Sequence, residues 1–226
     1  MALAELHRDT PVGAEVTIGL SGWSRADLDP LLTGAGFRVD EVSRRGPQWT
    51  VRATRLRTLP DLIDPGLRLL VCGLNPSLFA ADAGVSFARP GNRFWPAARA
   101  AGLVSRDRDP WHALRVDRVG FTDLVKRATT AAAELSPDEY RHGADRLRWA
   151  VQLVRPAALC FVGLAGWRAA VSKNAVPGPQ PGGFAGVPAY LMPNTSGLNA
   201  HTKPADFVNH LLAASRPGPG ALSARS

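Results

Sequence analysis

Asn75 stands where a polar side chain can do chemistry. It follows a short apolar run, residues 69–72, in which nothing alternates in polarity, the mark of a strand buried on both faces. The run stops at Gly73. In the turn Leu74-Asn75-Pro76-Ser77 the proline fixes its own backbone and pushes Asn75 towards an extended conformation. An amide held stiffly beyond the carboxyl end of a buried parallel strand lies where open α/β sheets put their ligands. Its oxygen can accept a hydrogen bond but cannot take a proton at neutral pH. A second polar stretch, Asn194-Thr195-Ser196-Gly197-Leu198-Asn199, follows the apolar run 187–192 and can line the same sheet edge.

The elements that must hold these residues are legible in outline. Ser136-Pro137-Asp138-Glu139 carries an N-cap, a first-turn proline and an acid at the third helical position, so a helix begins there. Apolar residues at Tyr140, Ala144, Leu147, Val151 and Val154 give it one inward face, with Arg141, Arg146, Arg148 and Arg155 largely off that face. Asn92 caps a helix running to Gly102 with Phe94 and Trp95 turned to the core, and Thr202 caps a last helix. Further buried strands are expected at 121–125, 157–162 and 187–192, with a loop at 177–183. Strands alternating with helices imply a three-layer α/β/α fold around a central, mostly parallel four-stranded sheet, residues 58–215. Residues 1–57 form a small β-α-β-β appendage: a strand near 13–20, a helix capped by Ser24 and Asp27, and a hairpin about Arg45-Gly46-Pro47. The stretch GFRVDEVSRRGPQWTVRATR resembles the end of an S-adenosylmethionine-dependent methyltransferase, yet no Gly-rich cofactor loop precedes it, which argues against methyl transfer. The Pro/Gly/Ser/Ala-rich tail, 216–226, is expected to be disordered.

Composition narrows the function classes. The 27 Lys and Arg against 19 acids leave a net charge of +8, which suits a polyanionic partner. Apolar runs are too short for a membrane span and the amino terminus lacks signal-peptide design, so a cytoplasmic protein is expected. Cys72 and Cys160 lie inside apolar runs and read as buried reduced thiols; two cysteines cannot form a four-cysteine iron–sulfur or zinc site, and no metal is implied. Neither a Walker-type loop nor GxGxxG occurs, which removes support for nucleotide hydrolysis and dinucleotide redox chemistry.

The two motifs together carry a resemblance. GLNPS at residues 73–77 with FARPGNRFW at 87–95, and then MPNTSGLNA at 192–200, are similar to the two signatures of the mismatch-specific uracil/thymine DNA glycosylases, a branch of the uracil-DNA glycosylase superfamily. The likeness spans roughly residues 59–216 and implies the following roles. Asn75 positions the water that attacks the sugar; Phe87 stacks on an extruded base; backbone amides near Leu74 and Ser77 read the pyrimidine edge; Asn194 supports the leaving base. Ser196, Gly197, Leu198 and Asn199 form the DNA-inserting loop, with Leu198 as wedge. Asp123 lines the pocket, and Arg89, Asn92 and Arg93 either meet phosphates or tie down a loop. No cofactor is implied, and the partner is double-stranded DNA bearing a flipped uracil-type base, bound by a monomer. The sequence departs from the family pattern at Ser77, where relatives often have Gly and where a side chain narrows the pocket against thymine. It departs again at Thr195 and Ala200, which replace Pro and a basic residue and bear on opposite-base preference. The activity implied is hydrolytic removal of uracil, with ethenocytosine and thymine as further substrates. The alternative is a mismatch-sensing DNA-binding module without catalysis.

Overall fold

The computed structural model describes residues 2–216. The expected disordered tail, apart from Arg216, lies outside the described residues. The chain opens with helix α1 (Ala2–Asp9), strand β1 (Glu15–Ser21), helix α2 (Arg25–Gly34) and the hairpin β2 (Phe37–Arg45) and β3 (Gln48–Arg55). The three strands are antiparallel in the order β1-β3-β2. The hairpin turns at Gly46, and the α2 start is sealed by the Asp27 carboxylate, which accepts from the Ser24 N–H and hydroxyl. Helix α1 was not legible in the sequence pattern, which gave only β-α-β-β.

The main unit runs β4 (Leu69–Gly73), α3 (Leu78–Ala83), α4 (Phe94–Ala100), α5 (Pro110–Arg115), β5 (Val119–Asp123), α6 (Pro137–Val154), β6 (Leu159–Val162), α7 (Leu164–Ala170), β7 (Gly178–Phe184), β8 (Val187–Met192) and α8 (Pro204–Ala214). Its sheet has the order β5-β4-β6-β8-β7 and is parallel except for β7. Helices flank it, α4 against α8 and α6 against α7. Every residue of β4, β5 and β6 is buried, as expected of parallel strands covered on both faces. Phe94 and Trp95 are fully buried against Phe121, and each such ring stabilises the fold by about 1.5–3 kcal/mol. Cys72 and Cys160 are buried free thiols. Among the described residues no helix is long and apolar enough to cross a membrane.

Three expectations are corrected. The sheet has five strands, not four, because the segment read as a loop at 177–183 is the edge strand β7. Its prolines are tolerated since it pairs only with β8, and its register breaks between Gln180 and Phe184. Arg146 does not fall off the inner face of α6. It is 6% exposed and ion-paired with Asp61, a buried acid in the connector before β4 that the apolar periodicity could not reveal. Lys203, not Thr202, occupies the N-cap of α8, and the Asp206 carboxylate accepts from its N–H at 3.0 Å.

The two units are joined through polar and aromatic contacts. The Asp61 N–H donates to the Gly34 carbonyl at 2.7 Å, Trp149 of α6 donates to Asp27 at 2.8 Å, and the Trp23 and Trp149 rings lie 6.0 Å apart. Ala4 of α1 belongs to the main core, whereas Leu28, Leu32, Phe37 and Val51 form a second core beneath the small sheet.

Candidate active site

The carboxyl ends of β4 and β5 are sewn together. Leu124 and Val125 donate their N–H groups to the carbonyls of Gly73 and Leu74, and Thr129 N–H donates to Pro76, so the loop after β5 runs beside the loop after β4. Between these loops and the one after β8 lies a cavity of about 750 Å³. Two clefts beside the N-terminal unit are smaller, about 270 and 210 Å³. Leu74, Asn75, Ser77, Phe87, Asn194, Ser196, Leu198 and Asn199 all line the large cavity, so residues more than a hundred positions apart meet there. Gly197 does not line it; it packs over the first motif, where an added Cβ would lie 3.1 Å from the Gly91 carbonyl.

Asn75 is held in one orientation. Its Nδ2 donates to Thr129 Oγ1 at 2.8 Å, to the Arg127 carbonyl at 3.0 Å and to the Pro76 carbonyl at 3.2 Å. Carbonyls accept only, so the nitrogen must be the atom facing them and the oxygen is the atom left over. That oxygen accepts from no described residue. The clamp reaches back to α6: Arg127 forms a two-point pair with Glu139 at 2.6 and 3.1 Å, and Glu139 also accepts the Ser136 N–H at the helix start. The Arg127 guanidinium and the Ser136 N–H together hold the Glu139 carboxyl down to about 2.

Phe87 takes a left-handed backbone, φ 58°, which costs a bulky residue about 1–2 kcal/mol. Its ring stacks on Phe94 at 4.4 Å between centroids and 24° between planes. Phe94 is fully buried and Phe87 half-buried, so the core supports one side of the Phe87 ring while the residue itself lines the cavity. Ser77 spends its hydroxyl on the start of α3, accepting from Ala80 N–H at 3.1 Å.

The loop after β8 is anchored by Arg93. Its guanidinium donates to the carbonyls of Thr202 and Ser196, both at 3.0 Å, and to that of Asn199, while stacking over Phe207. Of the three polar residues flanking Phe94, Arg93 therefore ties down the loop. Arg93, not Asn92, occupies the N-cap of α4; Asn92 stands one residue before it, its Oδ1 accepting from Phe94 N–H at 2.9 Å, and Arg89 remains exposed at the cavity wall. Asn199 is spent inside the loop, donating to the Asn194 carbonyl and Thr202 Oγ1 and accepting from His201 N–H. Asn194 accepts from Ser196 N–H through Oδ1, leaving its Nδ2 without a partner among the described residues. Leu198 is 88% exposed at the rim. Thr195 is buried, with an unpartnered hydroxyl.

Asp123 forms part of the cavity lining at the end of β5. Burial pushes its carboxyl up to about 6, with Lys126 and Arg146 pulling against that and Asp61 adding to it. Asp61, equally buried, goes the other way: burial opposes its charge, but Arg146 and Lys126 beside it win and hold it below the usual carboxylate range. Burial likewise raises both thiols, Cys160 to about 12, so neither is a nucleophile. The clamp residues Arg127 and Thr129 and the acid Asp61 carried no signal in the sequence beyond being polar residues near strand ends.

At its strand ends the α/β sheet thus carries a cavity walled by an oriented amide, a stacked aromatic ring and an exposed aliphatic residue. The model of the uracil DNA glycosylase superfamily matches residues 60–215, and the chain belongs to that superfamily, whose members are DNA glycosylases. The solution structure of a candidate uracil DNA glycosylase from Methanosarcina acetivorans is similar at a TM-score of 0.48 and 20% identity, over 71% of this chain and 98% of that one.

Proposed function

We propose that the chain is a monofunctional DNA glycosylase that removes uracil from mispaired double-stranded DNA by hydrolysing the N-glycosidic bond. The reaction leaves an abasic site for base excision repair. One observation carries the reading: the Asn75 nitrogen is turned into the protein by three acceptors, so its oxygen is the free end. That oxygen accepts a hydrogen bond from a water and aims the water's lone pair at the anomeric carbon, without deprotonating it. The bond then breaks towards an oxocarbenium-like sugar and a departing base that carries negative charge. Phe87 supports the base by stacking, and the free Nδ2 of Asn194 donates to it as charge builds. The base leaves the helix before any of this, and the exposed Leu198 fills the gap it leaves. Net charge of +8 favours the DNA backbone. Ethenocytosine fits the same pocket, and thymine fits less well because of the side chain at Ser77.

The test uses an end-labelled duplex with one G·U pair, incubated with the protein and then with alkali. Strand scission is expected, and Asn75→Ala should slow it by about 100-fold or more under single-turnover conditions. Tight binding of the duplex with no scission by either protein would instead identify a sensor of mismatches.

A further inference from the structure

The loop after β5 is gripped along two edges. Towards the first motif it donates three backbone N–H groups: Leu124 to Gly73 and Val125 to Leu74, both at 2.9 Å, and Thr129 to Pro76 at 3.1 Å. Lys126 faces the other way. Its carbonyl accepts from Thr58 Oγ1 and its Nζ donates to Asp61 at 2.8 Å, so the connector before β4 holds both its main chain and its side chain. The next residue, Arg127, presents the carbonyl that accepts from Asn75 Nδ2 at 3.0 Å.

The connector is in turn fixed by the N-terminal unit. Leu56 N–H donates to the Gly36 carbonyl at 2.9 Å and Asp61 N–H to the Gly34 carbonyl at 2.7 Å, so the segment carrying Thr58 is pinned at both ends to the close of α2. Gly36 has φ 86°, and a Cβ there would strike the His7 ring and lie 3.0 Å from Thr58 Cγ2. The bare glycine thus lets α1, the close of α2 and Thr58 pack against one another. Thr58 and Lys126 are both buried. An ammonium out of water costs the fold more than an apolar side chain in the same space, even when it is paired. Asp61 does not need this one for its charge, because it has the Arg146 guanidinium and accepts from Thr122 Oγ1 at 2.7 Å. What the second ion pair adds is a fixed place for the residue that carries it.

Resting on the glycosylase reading above for its effect on rate, we propose that the N-terminal unit is a positioning element of the active site. Through Thr58 and Lys126 it fixes the Arg127 carbonyl, and through that carbonyl the outward turn of the Asn75 oxygen. Hydrogen bonds weaken steeply once they bend, so a loop free to drift at residue 126 would loosen the hold on Nδ2. Neither Thr58 nor Lys126 lines the large cavity; both are positioning residues that act through the amide.

Two measurements on the full chain test this. The first reads geometry without activity: the side-chain amide signals of Asn75 in a proton–nitrogen correlation spectrum, identified as the pair that Asn75→Ala removes. Thr58→Val fills the same volume without the hydroxyl, and Lys126→Met breaks the other tether as a second variant. In each, the Asn75 signals should shift and exchange with water about tenfold faster, and Thr58→Ser should restore them. The second is single-turnover excision from a G·U duplex. Thr58→Val should slow it roughly fivefold with duplex affinity unchanged, again restored by Thr58→Ser. In an Asn75→Ala background Thr58→Val should cost nothing more, since no amide is left to orient. Asn75 signals that stay put in both variants overturn the proposal whatever the rates do. So does a loss of rate that adds in full to that of Asn75→Ala or appears as lost affinity, because Thr58 would then act on the fold or on binding. If no protein cleaves the duplex, signals that move keep the brace and sink the glycosylase reading, and signals that stay put sink the brace.

Discussion

At the scale of single residues, the cavity sets an amide that cannot titrate beside a carboxyl that can. The amide depends on its neighbours for its usefulness. Rotated by half a turn, the Asn75 side chain would present a donor where water needs an acceptor, and the Arg127 and Pro76 carbonyls are what forbid that rotation. Thr129 adds the shortest of the three contacts, at 2.8 Å. Thr129→Val should therefore cost about 1 kcal/mol of positioning, which is roughly a fivefold fall in single-turnover rate. Duplex affinity should hardly change, because the remaining carbonyls still fix which end faces the protein. A fall in affinity equal to the fall in rate would assign Thr129 to binding.

Among the elements, the strand and helix that carry their own local signals were readable from the sequence. The unbroken apolar run of β4 and the Ser-Pro-Asp-Glu start of α6 announce themselves within a few residues. What the chain does only through distant partners was not readable. Strand β7 is PGPQPGG-like in composition and becomes a strand because β8 lies beside it. Arg146 is an inward residue because Asp61, 85 positions earlier, neutralises it. For the same reason the site was half visible: the turn after β4 nominated Asn75 and the family resemblance of the two motifs nominated Phe87 and Leu198, whereas the clamp at Arg127 and Thr129 exists only once β4 and β5 are neighbours. Arg93 shows how one side chain replaces secondary structure, binding three carbonyls of the loop after β8. Arg93→Gln should release that loop. Amide hydrogen exchange at 196–202 should accelerate by at least tenfold while β4 to β6 stay protected, and duplex affinity should fall with it.

For the whole molecule, the N-terminal unit is tied by hydrogen bonds to the connector before β4 and the loop after β5. Thr58 donates to the Lys126 carbonyl, Lys126 to Asp61, and Asp61 to Gly34 at the end of α2. His7 of α1 is part of the same seam. It is 1% exposed, donates from Nε2 to the Leu56 carbonyl at 3.2 Å and packs edge-on against Phe37. Burial, with the charge of Arg55 assisting, lowers its imidazole to about 4. The unfolded chain therefore binds a proton between about pH 6.5 and 4 that the folded one refuses. Stability linked to His7 is complete above pH 6.5 and declines as the pH falls towards 4. His7→Gln keeps a donor for Leu56 without titrating, so its melting temperature should fall less over that interval than that of the unaltered protein. Parallel curves would show that the seam loosens for another reason.

Leu198 adds a consequence of a different kind. An aliphatic side chain standing almost naked in water gains on being covered by anything dry, and that gain owes nothing to ions. Attraction between a basic surface and phosphates fades as salt is added, but the contact made by this residue does not. On the proposed function, the grip on a lesion should therefore have two components of which only one weakens in brine, so salt should strip the protein from ordinary duplex sooner than from a gap filled by Leu198.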